Sequence, residues 1–79
     1  MMEPPIHLVE RWRLEDEEAR RIRRREADWS FINQQPPKIK YALIYYVETG
    51  DPYKAAKIAD LTLDEFDELR RQANIPKTP

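Results

Sequence analysis

The sequence predicts an all-α protein, in which a charged N-terminal amphipathic helix is followed by a three-helix unit of helix-turn-helix type. Three observations predict it. Residues 14–32 contain neither Gly nor Pro and are dominated by Glu, Arg and Ala, all good helix formers. Residues 39–48 are apolar or aromatic on nearly every side of a helical wheel, as a central buried helix requires. Two marked helix starts follow in quick succession, Asp51-Pro52 and Thr62 with Glu65.

Composition bounds the answer. Seventy-nine residues make one domain, and a domain of this size buries only about 60% of the surface its unfolded chain exposes. Leu, Ile, Val and Phe total 17, a modest supply of core side chains that makes a partner subunit an attractive source of stability. Fourteen basic side chains against fifteen acidic ones give a net charge of −1, with no global bias toward nucleic acid or an anionic membrane. The absence of cysteine excludes disulfides, thiolate chemistry and Cys-bearing zinc sites. No apolar run reaches the roughly 18–20 residues of a bilayer span, and the start lacks a signal-peptide layout, so the expectation is a cytoplasmic protein. High charge, two Asn, three Gln and seven Pro together resemble a heat-adapted, thermophile-like composition.

In chain order, Pro4 and Pro5 disfavour helix at the start, so residues 1–13 are expected to form an extended arm. The charged helix is assigned to 14–35, where Trp12, Ala19, Ile22 and Trp29 share a thin stripe interrupted by Glu15 and Glu26. Pro36 and Pro37 divide this half from the unit at 38–76. The central helix ends at Gly50, the only glycine, where a left-handed cap is wanted. Asp51 caps the next helix and Pro52 takes its first position, where the missing N–H has no partner in any case. Small residues Ala55, Ala56 and Ala59 allow close crossing of the following helix. Thr62 and Glu65 form a capping box, and Leu63, Phe66, Leu69 and Ala73 then share one face. Asn74 and Pro76 end the helix, and 77–79 form a tail.

Two short helices joined by a turn of about three residues behind an apolar helix fit the helix-turn-helix pattern. On Gly50, Lys54-Ala55-Ala56, Leu61, Phe66, Leu69-Arg70 and Ile75-Pro76, the segment 41–76 resembles the C-terminal half of a family of small prokaryotic proteins regarded as antitoxins of toxin–antitoxin pairs. Where that family has a small residue beside the lysine and a glycine before the last isoleucine, this chain has Tyr53 and Asn74. The first 35 residues carry no such likeness. The resemblance implies a DNA-binding transcription regulator with a small ribonuclease toxin as protein partner.

The chemistry of the last helix complicates that implication. Asp64, Glu65, Asp67 and Glu68 lead it, and phosphate would repel each of them. The candidate phosphate-binding residues are therefore Tyr53, Lys54, Lys57, Arg70 and Arg71 at its flanks, with Arg23, Arg24 and Arg25 in the charged helix. Asp16 and Glu17 stand four residues before Arg20 and Arg21, so part of that basic run pairs within its own helix. Trp12, Ala19, Ile22 and Trp29 are the candidate homodimer or partner contact, with Trp29, Phe31 and Ile32 also expected to fold onto the three-helix unit. The alternative to DNA binding is a protein-interaction module whose acid-led helix meets a protein. Catalysis has no foothold: His7 is a lone histidine beside prolines, the carboxylates lie in helical runs, and no phosphate loop, metal spacing or cofactor motif occurs.

Overall fold

A computed structural model describes the backbone of residues 6–77 and the side chains of residues 15–77. The described residues form five helices and no strand: α1 (Ile6–Glu26), α2 (Trp29–Asn33), α3 (Pro37–Thr49), α4 (Pro52–Ala59) and α5 (Leu63–Gln72). The all-α fold follows the sequence, with α3, α4 and α5 in a helix-turn-helix-like arrangement. No helix among them is long and apolar enough to cross a membrane.

Two boundaries differ from expectation. Of the extended arm assigned to 1–13, the part over 6–13 is corrected, because α1 is already helical at Ile6 and continues for 21 residues, about 31 Å at 1.5 Å per residue; residues 1–5 lie outside the described residues. Proline bars helix before itself but fits a first turn, and no Gly or Pro follows Pro5 until Pro36. The charged helix also stops short of residue 35. Asp28 leaves helical geometry (φ −83°, ψ 90°) and caps α2, its carboxylate accepting from Phe31 N at 3.0 Å. Two bonds from the far end of the chain hold this break open. Asp28 N donates to Ala73 O at 2.8 Å, and the Asn74 side chain donates to Glu26 O at 3.0 Å. A segment free of Gly and Pro is thus interrupted where Asp28 can cap and tertiary bonds offer its backbone a better partner.

The helix ends in the C-terminal unit are each closed by a specific device. Pro37 opens α3, and Gly50 ends it at φ 70°, its N–H reaching Tyr46 O at 2.7 Å. Asp51 Oδ1 accepts from Tyr53 N and Lys54 N to open α4. The capping box at α5 is complete: Glu65 N donates to Thr62 Oγ1 at 3.2 Å, and Thr62 N donates to Glu65 Oε1 at 3.0 Å. The three-residue turn between α4 and α5 begins with Asp60 in left-handed backbone, φ 59°. Leu61 N bonds Ala56 O, and Asp60 N bonds Lys57 O, the paired bonds of a Schellman closure. Asn74 repeats the device after α5 at φ 57°, with Ile75 N on Arg70 O.

Asp60 carries both a Cβ in left-handed backbone and a negative charge at a helix C-terminus, two unfavourable features. Asp60→Gly is therefore expected to stabilise the fold by roughly 0.5–1 kcal/mol. Urea unfolding followed by circular dichroism checks this; a lower midpoint would show that the carboxylate makes a contact worth more than the strain.

The core joins α2, α3, α4 and α5 with the residues that follow α1 and α5. Ile32, Leu43, Val47, Phe66 and Ile75 are its largest fully buried side chains, and Ala27, Ala42, Ala55, Ala56, Ala59 and Ala73 let the helices approach closely around them. Tyr46 meets Phe66 edge-on, with ring centroids 5.6 Å apart. Three expected burials are corrected. Tyr41 faces outward from α3, Leu63 is 41% exposed, and Trp29 is 37% exposed with its Nε1 donating to Arg24 O at 2.8 Å. The break at Asp28 rotates Trp29 off the α1 stripe and leaves Ile32 to enter the core instead.

Candidate functional site

Two surfaces carry the chemistry-bearing residues. One is the crossing of α1 over the end of α3, and the other is the outer side of α4 and α5.

At the crossing, Arg23 overturns its assignment as a phosphate ligand. It is the one buried charged residue among those described. Its Nε donates to Val47 O at 2.8 Å, one of the carbonyls that a helix leaves unpaired in its last turn. A cation at a helix C-terminus is favoured by the helix dipole. Burial lowers the guanidinium pKa from its ordinary value, as does nearby Arg20, while Tyr46, Glu48 and Asp16 act in the opposite sense. Gly50 makes the room: a Cβ there would lie 3.0 Å from Arg23 Nη1. Arg24, also expected to be available, holds Glu48 through two bonds, Nε to Oε1 at 2.9 Å and Nη2 to Oε2 at 2.6 Å. The hydrogen bond from Arg24 is the main reason the Glu48 carboxyl titrates below its ordinary value. Arg25 is exposed and pairs with Glu26 at 3.2 Å. The argininyl run is thus largely consumed by the chain itself.

The same correction applies in α5. Arg70 is nearly buried, donating from Nε to Asp67 Oδ1 at 3.0 Å and from Nη1 to Ile75 O at 2.7 Å, so it closes its own helix end. Arg71 is exposed but bridges Asp67 at 3.0 Å and Glu68 at 3.7 Å. The Arg70 hydrogen bond is the largest cause of the lowering of the Asp67 pKa, with the charges of Arg70, Arg71 and Lys77 acting in the same sense and burial opposing them. Of the eight candidate phosphate-binding residues, Tyr53, Lys54 and Lys57 remain exposed on α4 with no side-chain hydrogen bond or ion pair among the described residues.

Opposite them, Asp64, Glu65 and Glu68 lie on the exposed side of α5. Glu65 is engaged in the capping box, which holds its carboxyl below the ordinary pKa through hydrogen bonds at Thr62. Asp64 forms no hydrogen bond or ion pair among the described residues. Between α4 and α5 runs a cleft of about 260 Å³ lined by Tyr46, Pro52, Tyr53, Leu63, Asp64 and Phe66, with the Asp67–Arg70 pair and Lys77. Sequence reasoning missed this cleft because it counted Leu63 as core.

The expected partner seam divides. Ala19 and Ile22 are half-buried on the inner side of α1, where Ala19 borders the α3 terminus and Ile22 a hollow against Asn74 and Ile75. The Trp12 and His7 side chains lie outside the described residues. The structural role of Arg23 had a sequence signal: Ala19 and Ala27 flank it at four residues on either side, a small–Arg–small row that admits a neighbouring backbone.

No family model, curated protein or solved structure matches this chain.

Proposed function

We propose that this protein is a small protein-binding adaptor on a helix-turn-helix-shaped scaffold, and that the α4–α5 side is its contact surface. The observation that carries this reading is where the acids stand. Asp64, Glu65 and Glu68 lie exposed on the first two turns of α5, the helix that would have to enter a groove. A helix that enters a DNA groove meets dense negative charge, so an acid-led α5 opposes that docking. An antitoxin-type role, with a toxin-like protein as the bound partner, is the form of this reading that the resemblance over 41–76 supports.

A second reading, a DNA-binding regulator, draws on one observation. Tyr53, Lys54 and Lys57 are exposed on α4, the helix that crosses the phosphate backbone in helix-turn-helix proteins. A gel shift with the full chain at low and high salt separates the two. The expected result is no shift of duplex DNA even at low ionic strength. A salt-dependent shift that Lys54→Ala/Lys57→Ala abolishes would replace the adaptor reading with DNA binding. Affinity capture from the native host provides the positive arm: a partner held by the unsubstituted chain is expected to be lost with Asp64→Lys/Glu68→Lys.

A further inference from the structure

We infer that residues 73–77 are a latch that holds α1 apart from α2, and that a partner seated at the α4–α5 cleft releases it, letting the two helices join into one. The inference rests on the protein-binding reading above and adds its regulation. The break between α1 and α2 is held by groups that an unbroken helix would pair differently. There, Asp28 N would donate to Arg24 O, and Ser30 N to Glu26 O. Here, Asp28 N donates to Ala73 O at 2.8 Å, Arg24 O accepts from Trp29 Nε1 at 2.8 Å, and Glu26 O accepts from the Asn74 side chain at 3.0 Å. Two of these three bonds come from the residues that directly follow α5.

The local sequence favours the joined form. Residues 6–35 contain no Gly or Pro, and in an unbroken helix Ala19, Ile22 and Trp29 share one stripe, which the break at Asp28 dissolves. The bent form prevails because it adds bonds from elsewhere: the latch on one side, and Arg23 on Val47 O with Arg24 on Glu48 on the other. Ile32 is fully buried and keeps α2 on the core, so α1 is the part that swings when the latch opens. The latch also reaches the contact surface. Asn74 and Pro76 border the hollow against Ile22 and Glu26 of α1, while Lys77 lines the α4–α5 cleft. This short segment thus connects the cleft to the break, with buried Ile75 as the pivot between its ends. A partner that takes hold of the Lys77 end, and binds the joined form better than the bent one, shifts the population toward it.

Nuclear magnetic resonance of the full chain tests the latch. Asn74→Gly keeps the left-handed backbone and removes the side-chain donor to Glu26 O. It should speed exchange of the Asp28 amide about fivefold and leave the Leu43 and Phe66 amides unchanged, which separates latch opening from unfolding. Asp28→Ala removes the α2 cap, and combined with Asn74→Gly it should shift the bent-to-joined ratio about thirtyfold. The readouts are helical Cα shifts at residues 27 and 28, and a second distance between spin labels on Glu18→Cys and Lys38→Cys, both exposed positions in a chain without cysteine. Non-helical shifts and a single distance in the combined variant overturn the latch. Capture from the native host tests the release. By reciprocity, a partner that opens the latch should bind Asp28→Ala/Asn74→Gly more tightly than the unsubstituted chain, by up to about thirtyfold. Equal capture by the two chains overturns release by a partner. A chain that captures nothing removes the adaptor reading and the release with it, while the shifts at 27 and 28 decide the latch alone.

Discussion

Phe66→Ala is expected to remove most of the stability of the fold. Phe66 is fully buried and lies edge-on to Tyr46, at the meeting point of α3 and α5. Deleting a buried phenyl ring loses its transfer free energy and leaves a cavity, together about 3–5 kcal/mol. A domain of this length has only roughly 4–12 kcal/mol to lose. The midpoint of thermal unfolding should fall by at least about 12 °C, at roughly 4 °C or more per kcal/mol. Leu63→Ala supplies the internal comparison, since Leu63 shares the sequence stripe but is 41% exposed; it should cost only about 1 kcal/mol. Urea and thermal unfolding followed by circular dichroism decide the matter. Equal losses for the two substitutions would show that the stripe, and not the Tyr46–Phe66 contact, holds the unit together.

That comparison also marks how far the sequence could be read. Devices that act within a few residues were legible: Gly50 as a left-handed cap, Asp51-Pro52 as a start, and Thr62 with Glu65 as a capping box all depend on backbone groups beside them. Choices made by distant parts of the chain were not. Between residues 20 and 35 only Asp28, a good capping residue, hints at the break, and the bonds that favour it over a continuous helix come from Ala73 and Asn74. The same holds for Leu63. Its period matches that of Phe66, but the close approach of α4 leaves it at the mouth of the cleft. For the candidate site, the acid-led α5 and the exposed Tyr53, Lys54 and Lys57 were readable as surface chemistry. The fate of the arginines was not, because a guanidinium's partner is set by tertiary geometry.

Arg23 is where that difference becomes measurable. Arg23→Met keeps an aliphatic stem at the crossing but removes the donor to Val47 O and the cation at the α3 terminus. A buried carbonyl that loses a charged donor costs on the order of 2–4 kcal/mol. Arg24→Met breaks a bidentate pair with Glu48, but that pair is solvent-accessible and should cost only about 0.2–1 kcal/mol. The salt response separates them further. Added salt screens the exposed Arg24–Glu48 pair and leaves the buried Arg23 bond nearly untouched, so the deficit of Arg23→Met should persist at high ionic strength. Gly50→Ala should reproduce much of the Arg23 defect, since its Cβ would strain left-handed backbone and crowd the same guanidinium. Two neighbouring arginines in one basic run would then differ severalfold in their effect on unfolding. Equal costs for Arg23→Met and Arg24→Met would mean that α1 is held at α3 by surface charge, and that the buried guanidinium does not fix the crossing.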